Sequence, residues 1–142
     1  MTLDERARAF LESNHSAAMT TLRKDGSPHS VRIGVCLVDG KLWSSGTQTR
    51  VRTRHLRRDP RCSLFVFDPN YSYLVADTTV TILDGSDSPD LSVKLFRVMQ
   101  GRPTGPLQWF GGELEEDAFC KALVDEQRLI YEFDVLRVSG LY

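Results

Sequence analysis

TRVRTRHLRRDPR, residues 49–61, is a strongly basic segment with six arginines in its last twelve positions. It separates two apolar runs, residues 41–46 and 62–67, and its length corresponds to about three turns of helix. Thr49 is a suitable N-cap, and Pro60 is a stop signal. The segment therefore predicts a helix between two strands.

The spacing of the arginines predicts where their charges lie. One face of the helix is predicted to carry Arg50, Arg54, Arg57 and Arg61. Arg52 and Thr53 fall in the first turn, where backbone N–H groups lack helical partners and the helix dipole is positive. A solvated basic face is the simpler interpretation, but the whole chain has a net charge of −1 and its arginines concentrate here. The segment is therefore a candidate phosphate site.

The composition indicates one globular domain, residues 1–142, with 41% hydrophobic and 26% charged residues. No apolar run reaches the roughly 20 residues of a membrane span, and the N-terminus lacks the layout of a signal peptide. We therefore expect a cytoplasmic protein. The three cysteines and three histidines have no ligand-like spacing, so no metal site is predicted. The near-zero net charge argues against bulk nucleic-acid binding.

Hydrophobic periodicity and turn signals predict the order α-βββ-α-ββ-αα-β. The predicted helices cover residues 2–14, 49–60, 90–99 and 113–126, and the predicted strands cover residues 17–22, 29–38, 41–46, 61–67, 71–83 and 128–138. Asp39-Gly40 is a hairpin signal, and the first three strands are predicted to form a meander. Short connections favour a mainly β fold, an antiparallel barrel with helical insertions. Residues 109–112 are predicted to form a mobile flap with an aromatic tip.

The common nucleotide loops, the nucleophile elbow of hydrolases and the zinc-protease motif are missing from the sequence. Ser45 ends the third strand just before the arginines and is a candidate phosphate ligand. Tyr71 and Tyr73 share a strand face, which suits either packing or the wall of a site for a ring-shaped ligand. The pattern favours a phosphorylated, planar ligand that carries its own chemistry, and it identifies no catalytic residue.

The order of elements, the hairpin at residues 18–28 and the arginine segment resemble the pyridoxamine 5′-phosphate oxidase-like split-barrel family. More narrowly, they resemble its branch of flavin/deazaflavin oxidoreductases that use coenzyme F420. The resemblance implies a six-stranded antiparallel split β-barrel that forms a homodimer, with the cofactor in a groove between the subunits. From the composition, we expect no membrane span and no nucleic-acid partner.

The resemblance also implies roles for individual residues. Arg50 and Arg52 would contact the cofactor phosphate, with Ser45 and Arg54 nearby. The segment 31–34, including Val31 and Ile33, would lie along the ring. Aromatic contacts would come from Tyr71 and Tyr73 of the partner subunit.

The implied reaction is hydride transfer between F420 and an unsaturated small organic substrate. Two alternatives stay open, an FMN-dependent oxidase or reductase of the same fold and a non-catalytic flavin- or haem-binding protein. Nucleic-acid binding by the arginine helix ranks below them because no alternation of exposed aromatic and basic residues accompanies it.

Overall fold

The computed structural model describes residues 2–142. Four helices lie along the chain, α1 (Glu5–Ser13), α2 (Val51–Arg58), α3 (Ser88–Gln100) and α4 (Glu116–Asp125). The strands are β1 (Ser16–Leu22), β2 (Pro28–Gly34), β3 (Cys36–Val38), β4 (Lys41–Thr47), β5 (Arg61–Phe67), β6 (Tyr73–Leu83), β7 (Leu107–Trp109), β8 (Gly112–Leu114) and β9 (Arg128–Leu141). No helix within residues 2–142 is long and apolar enough to cross a membrane.

Seven strands form one antiparallel sheet in the order β2-β1-β5-β6-β9-β4-β3, and β7 and β8 form a separate hairpin. The sheet curls around a core of alternate strand residues, including Met19, Leu64, Leu74 and Tyr131. This is the mainly β split barrel with helical insertions that the sequence predicts. The strand number of six is wrong, because the predicted strand at residues 29–38 is divided and a hairpin is added.

The division of that strand lies at Val35. The Val35 N–H donates to the carbonyl of His15 at 2.8 Å, and the Ser44 hydroxyl donates to the carbonyl of Gly34 at 2.6 Å. The chain thereby leaves β1 as its partner and joins β4. Both pairings of the predicted meander are present, since β1 pairs with β2 and β3 pairs with β4. The middle strand is divided, however, so that β2 and β3 lie at opposite ends of the strand order. Their short connection brings these two edges near each other at one end, and the rest of the β2 edge stays unpaired, as in a split barrel.

The long strand β6 alternates as predicted. Leu74, Ala76, Thr78 and Val80 are buried, while Tyr73, Val75 and Asp77 lie on the outer face and are half-buried. The turn before β4 also agrees with the sequence, since Asp39 and Gly40 have φ of 51° and 79°, as a primed two-residue hairpin requires.

The segment between α3 and β9 differs from the prediction. Residues 112–114 pair with 107–109 as β8 and β7, so the helix predicted to begin at residue 113 begins at Glu116 instead. Phe110 and Gly111 have positive φ and make the tight turn. The aromatic tip of the predicted flap is therefore Phe110, whose side chain is 83% exposed. Phe119 of α4 and Leu107 pack beneath the hairpin.

Candidate functional site

Helix α2 begins without a side-chain cap. Arg50 occupies the N-cap position, and Val51 is the first helical residue. The predicted cap is wrong, because the Thr49 hydroxyl instead pairs with that of Thr47 at 3.2 Å. The helix ends at Arg58, and Arg61 lies in β5, so Arg61 does not share the predicted helical face. The Thr53 amide donates to the Arg50 carbonyl at 3.1 Å, so without a capping side chain it is the Val51 and Arg52 amides that keep capacity for an external acceptor.

A buried contact with β9 fixes the first turn of α2. The Thr53 hydroxyl donates to the carbonyl of Thr47 at 2.7 Å, and therefore accepts from the Tyr131 hydroxyl, with which it also pairs. Tyr131 is completely buried and crosses β4 at Gly46. A Cβ at Gly46 would lie within 2.6 Å of Cε2 of Tyr131. Glycine is therefore required there so that the tyrosine can reach the helix.

Arg52 lies above this contact. Its guanidinium carbon is 5.7 Å from the centre of the Tyr131 ring, a cation–π distance. Its Nε is buried and has no acceptor among the described residues. Burial lowers the pKa of Arg52, Tyr131 opposes the shift, and the charges of Arg50 and Arg128 lower it further. Arginine nevertheless stays charged, so the site holds a desolvated cation that lacks a counter-charge.

Arg128 is the site residue that the sequence did not reveal. It begins β9 directly opposite Thr47 of β4, and one of its terminal nitrogens donates to the Ser45 hydroxyl at 3.4 Å. Only 13% of its side chain is exposed, and its Nε is likewise buried without an acceptor. Its sole distinguishing signal is a charged residue directly before the apolar run at residues 129–131. Strand pairing, not sequence spacing, brings it to Ser45.

The other arginines of the segment divide into two groups. Three have partners within the chain: Arg57 contacts Asp84 at 2.9 Å, Arg58 donates to the carbonyl of Leu22 at 2.9 Å, and Arg61 contacts Asp59 at 2.7 Å. The side chains of Arg50 and Arg54, by contrast, are exposed and make no hydrogen bond or ion pair with any of residues 2–142. Free positive charge therefore concentrates at the beginning and middle of α2.

A surface cavity of about 390 Å³ opens beside the helix start. It is lined by Thr47, Thr49, Arg50, Val51 and Glu126. Glu126 lies 3.2 Å from Arg128, so an acidic side chain stands at the edge of the basic cluster. The arrangement suits an oxyanion, for which it offers guanidinium, hydroxyl and amide donors.

The residues expected along the ring lie on β2. Ile33 is 8% exposed and belongs to the core, and Val31 is half-buried against that core. The side chains of both residues therefore pack inside the barrel. However, β2 is an edge strand that pairs only with β1, so the backbone along its other edge is available to a ligand.

Tyr71 and Tyr73 lie far from the candidate-site arginines of their own chain. Tyr73 pairs with Leu141 at one end of the β6–β9 ladder, and Leu83 pairs with Ile130 at the other. Ten residues of strand span about 33 Å. Tyr73 stacks on Phe65 at 5.0 Å between ring centres, whereas Tyr71 is 91% exposed.

A pair of histidines lies beneath α2. His55 is buried, and its Nδ1 is 2.9 Å from the Thr21 hydroxyl. The rings of His55 and His29 meet edge to face at 5.3 Å. Burial lowers the pKa of His55, and the charges of His29, Arg58, Arg23 and Arg54 add to the effect. His55 is therefore a neutral packing residue of the same helix that carries the candidate phosphate site.

Comparison with known proteins identifies one family and several solved structures of similar fold. The family described as Pyridoxamine 5′-phosphate oxidase matches residues 3–116. A structure described as an F420 reductase is 23% identical, with a TM-score of 0.70 over 96% of this chain and 98% of that one. An FAD-binding protein from Mesorhizobium loti is 18% identical, with a TM-score of 0.66 over 99% and 95% of the two chains. A conserved hypothetical protein from Mycobacterium tuberculosis is 21% identical, with a TM-score of 0.72 over 98% and 84%. At these identities, the structural likeness establishes the fold alone.

Proposed function

Because the chain belongs to the pyridoxamine 5′-phosphate oxidase family, we propose that it is an F420-dependent oxidoreductase acting on an unsaturated small organic substrate. The proposal depends chiefly on the supply of unpaired positive charge at the start of α2. The fold agrees with that of a structure described as an F420 reductase.

The donors at the site fit a phosphate. Arg52 has a buried Nε without an acceptor, and the cavity beside the helix start is lined by Arg50 and the Thr49 hydroxyl. A buried donor left without a partner costs about 1–3 kcal/mol, so an anion that accepts from Arg52 would remove a penalty already present in the fold. We assign phosphate contacts to Arg50, Arg52 and Ser45.

The number of free cations favours F420 over FMN. One phosphate can be neutralised by Arg50 and Arg52, which leaves Arg54 as an exposed cation without an acceptor one turn further along α2. The glutamate tail of F420 adds carboxylates, for which Arg54 is a suitable partner. FMN has no such groups, but it presents a phosphate to the same donors and is the alternative cofactor.

The free edge of β2 is our proposed contact for the ring. Backbone donors and acceptors of Val31 and Ile33 would orient its polar edge, while the side chains of both residues hold β2 against the core. When bound, the deazaflavin ring supplies hydride-transfer chemistry, and the protein contributes orientation and exclusion of water.

A homodimer completes the proposed site. The outer face of the sheet presents Phe65, Phe67 and Tyr73 as a stacked aromatic patch, with Leu141 beside it. Since Tyr71 and Tyr73 cannot reach the candidate-site arginines of their own chain, a second subunit would have to supply them to the groove. Such an interface belongs to the large obligate class of roughly 2,000 Å² or more.

Fluorescence titration of the cofactor-free protein with F420 and with FMN, each at low and high salt, tests the proposal. We expect F420 to bind more tightly and to lose more affinity with salt, because its tail contacts are exposed and screened. Arg54→Gln should weaken F420 but not FMN, while Arg57→Gln, whose parent side chain is paired with Asp84, serves as the control. Tight FMN binding without measurable F420 affinity would establish the alternative.

A further inference from the structure

Arg128 is held in an unusual way for a buried cation. Its guanidinium lies 5.5 Å from the ring centre of Trp109, donates to Ser45 at 3.4 Å and meets Glu126 at 3.2 Å. Both polar contacts are long for charge-assisted hydrogen bonds, which are typically 2.7–2.9 Å. The buried Nε has no acceptor at all among the described residues. The group is therefore desolvated but incompletely paired.

A second buried arginine of the chain provides a reference. Only 15% of the Arg97 side chain is exposed, and it meets Glu116 at 3.0 Å and also donates to the carbonyls of Arg102 and Gly105 at 3.0 and 3.1 Å. Arg97 therefore has three acceptors. Arg128 is similarly buried but has only two polar contacts, a long one with a carboxylate and a long one with a hydroxyl. Burial alone does not account for the missing acceptor at Arg128.

A second arginine, which interacts electrostatically with Arg128, also lacks an acceptor for its Nε. The Arg52 Nε is also buried and unpartnered, and the charge of Arg128 is felt at Arg52. Two interacting like charges, one half-buried and the other largely buried, repel each other unless an anion lies near them. The carboxylate nearest to Arg128 belongs to Glu126, which also lines the cavity at the helix start.

We propose that Arg128 is a further ligand of the bound oxyanion and that Glu126 is its displaceable counter-ion. In the ligand-free protein Glu126 partly neutralises Arg128. A phosphate or carboxylate oxygen takes over that contact when it binds at Ser45 and Arg52, and Glu126 then turns to solvent. The inference rests on the anion site proposed above, but it does not depend on which cofactor brings the anion.

Because the anion displaces Glu126 from Arg128, replacing Arg128 and replacing Glu126 should change the affinity for the anion in opposite directions. Removing the Arg128 fork removes a charge-assisted contact, so Arg128→Met should weaken anion binding by about tenfold or more. Removing the competing carboxylate should do the reverse, so Glu126→Gln should tighten binding severalfold. A pair that only stabilised the fold would give losses for both variants.

Binding should be measured with F420, with FMN and with inorganic phosphate, the last through the rise in melting temperature with phosphate concentration. The matched controls are Arg97→Met and Glu116→Gln, which break a second arginine–glutamate pair away from the site, with an arginine of similar burial. We expect both controls to bind each probe as the parent protein does. Arg128→Lys keeps the charge without the fork and should give intermediate affinity, which provides a readout if the methionine variant does not fold.

Unchanged or weaker binding by Glu126→Gln would overturn the counter-ion role, and parent-like binding by Arg128→Lys and Arg128→Met would overturn the ligand role. If the parent binds neither F420 nor FMN, but its phosphate response still depends on Arg128 and Glu126 as described, the proposed cofactor is wrong and the anion site stands. If cofactor binds and no variant alters it, the proposed function stands and this inference fails.

Discussion

Gly46→Ala perturbs the contact on which the start of α2 depends. A Cβ at this position would lie within 2.6 Å of Cε2 of Tyr131 and nearer still to Cζ and the hydroxyl oxygen. The Tyr131 ring is completely buried, so it cannot move aside without disturbing the core. Its hydroxyl pairs with Thr53, and that contact would be lost if the ring moved.

The expected cost follows from these two effects. Overpacking a core costs about 1–3 kcal/mol, and a lost hydrogen bond adds about 0.5–1.5 kcal/mol. We therefore expect Gly46→Ala to lower the free energy of unfolding by about 2–4 kcal/mol, or the melting temperature by roughly 6–15 °C for a domain of this size.

Urea unfolding followed by fluorescence, together with calorimetry, measures this loss. Gly112→Ala is the control, because a Cβ there would meet no atom nearer than the carbonyl oxygen of Trp109, at 3.8 Å; its effect should stay within about 0.5 kcal/mol. In a Tyr131→Leu background the cost of Gly46→Ala should fall by more than half, because the clashing ring is gone. Parent-like stability of Gly46→Ala, or an undiminished cost in that background, would refute the reasoning.

Three further outcomes are expected. Arg52→Met should weaken F420 and FMN binding by about 10-fold to 150-fold, the loss of one charge-assisted contact, whereas Arg58→Met should bind both normally in the same titration. Stability should fall as the pH drops below about 6.5, the ordinary pKa of histidine, because the lowered pKa of His55 makes the unfolded chain bind the proton first. Urea unfolding at about pH 7.5 and 5.5 should therefore give a smaller difference for His55→Gln than for the parent. Phe65→Lys should give a monomer by light scattering at micromolar concentration, while Phe110→Lys, at a more exposed phenylalanine outside the aromatic patch, should leave a dimer.

Local patterns predicted much of the fold correctly. The two-residue alternation of β6, the Asp39-Gly40 turn and the helical segment 51–58 all depend on neighbouring residues. The break at Val35 does not, because its backbone partner is His15, twenty residues earlier. The hairpin at residues 107–114 also escaped prediction, because Leu107 and Phe119 pack around it and override the helical pattern of its last residues.

The candidate site, like the fold, was predicted from the sequence only in part. Six clustered arginines and the nearby Ser45 indicate a candidate anion site in the linear sequence, since all lie within the stretch from β4 to the start of β5. Which arginines are free is a different question. Arg57 forms an ion pair with Asp84, Arg58 donates to the carbonyl of Leu22, and both partners come from other segments of the chain.

For this protein, then, the sequence by itself determined the fold class, the helix that carries the basic charge and the kind of ligand that charge suits. These follow from propensity, alternation and charge density, which neighbouring residues carry. Only the tertiary structure decided that Arg128 joins Ser45 and that Tyr131 supports Thr53 through Gly46. The register of β4 against β9 places residues more than eighty positions apart in contact, and local sequence contains no record of that pairing.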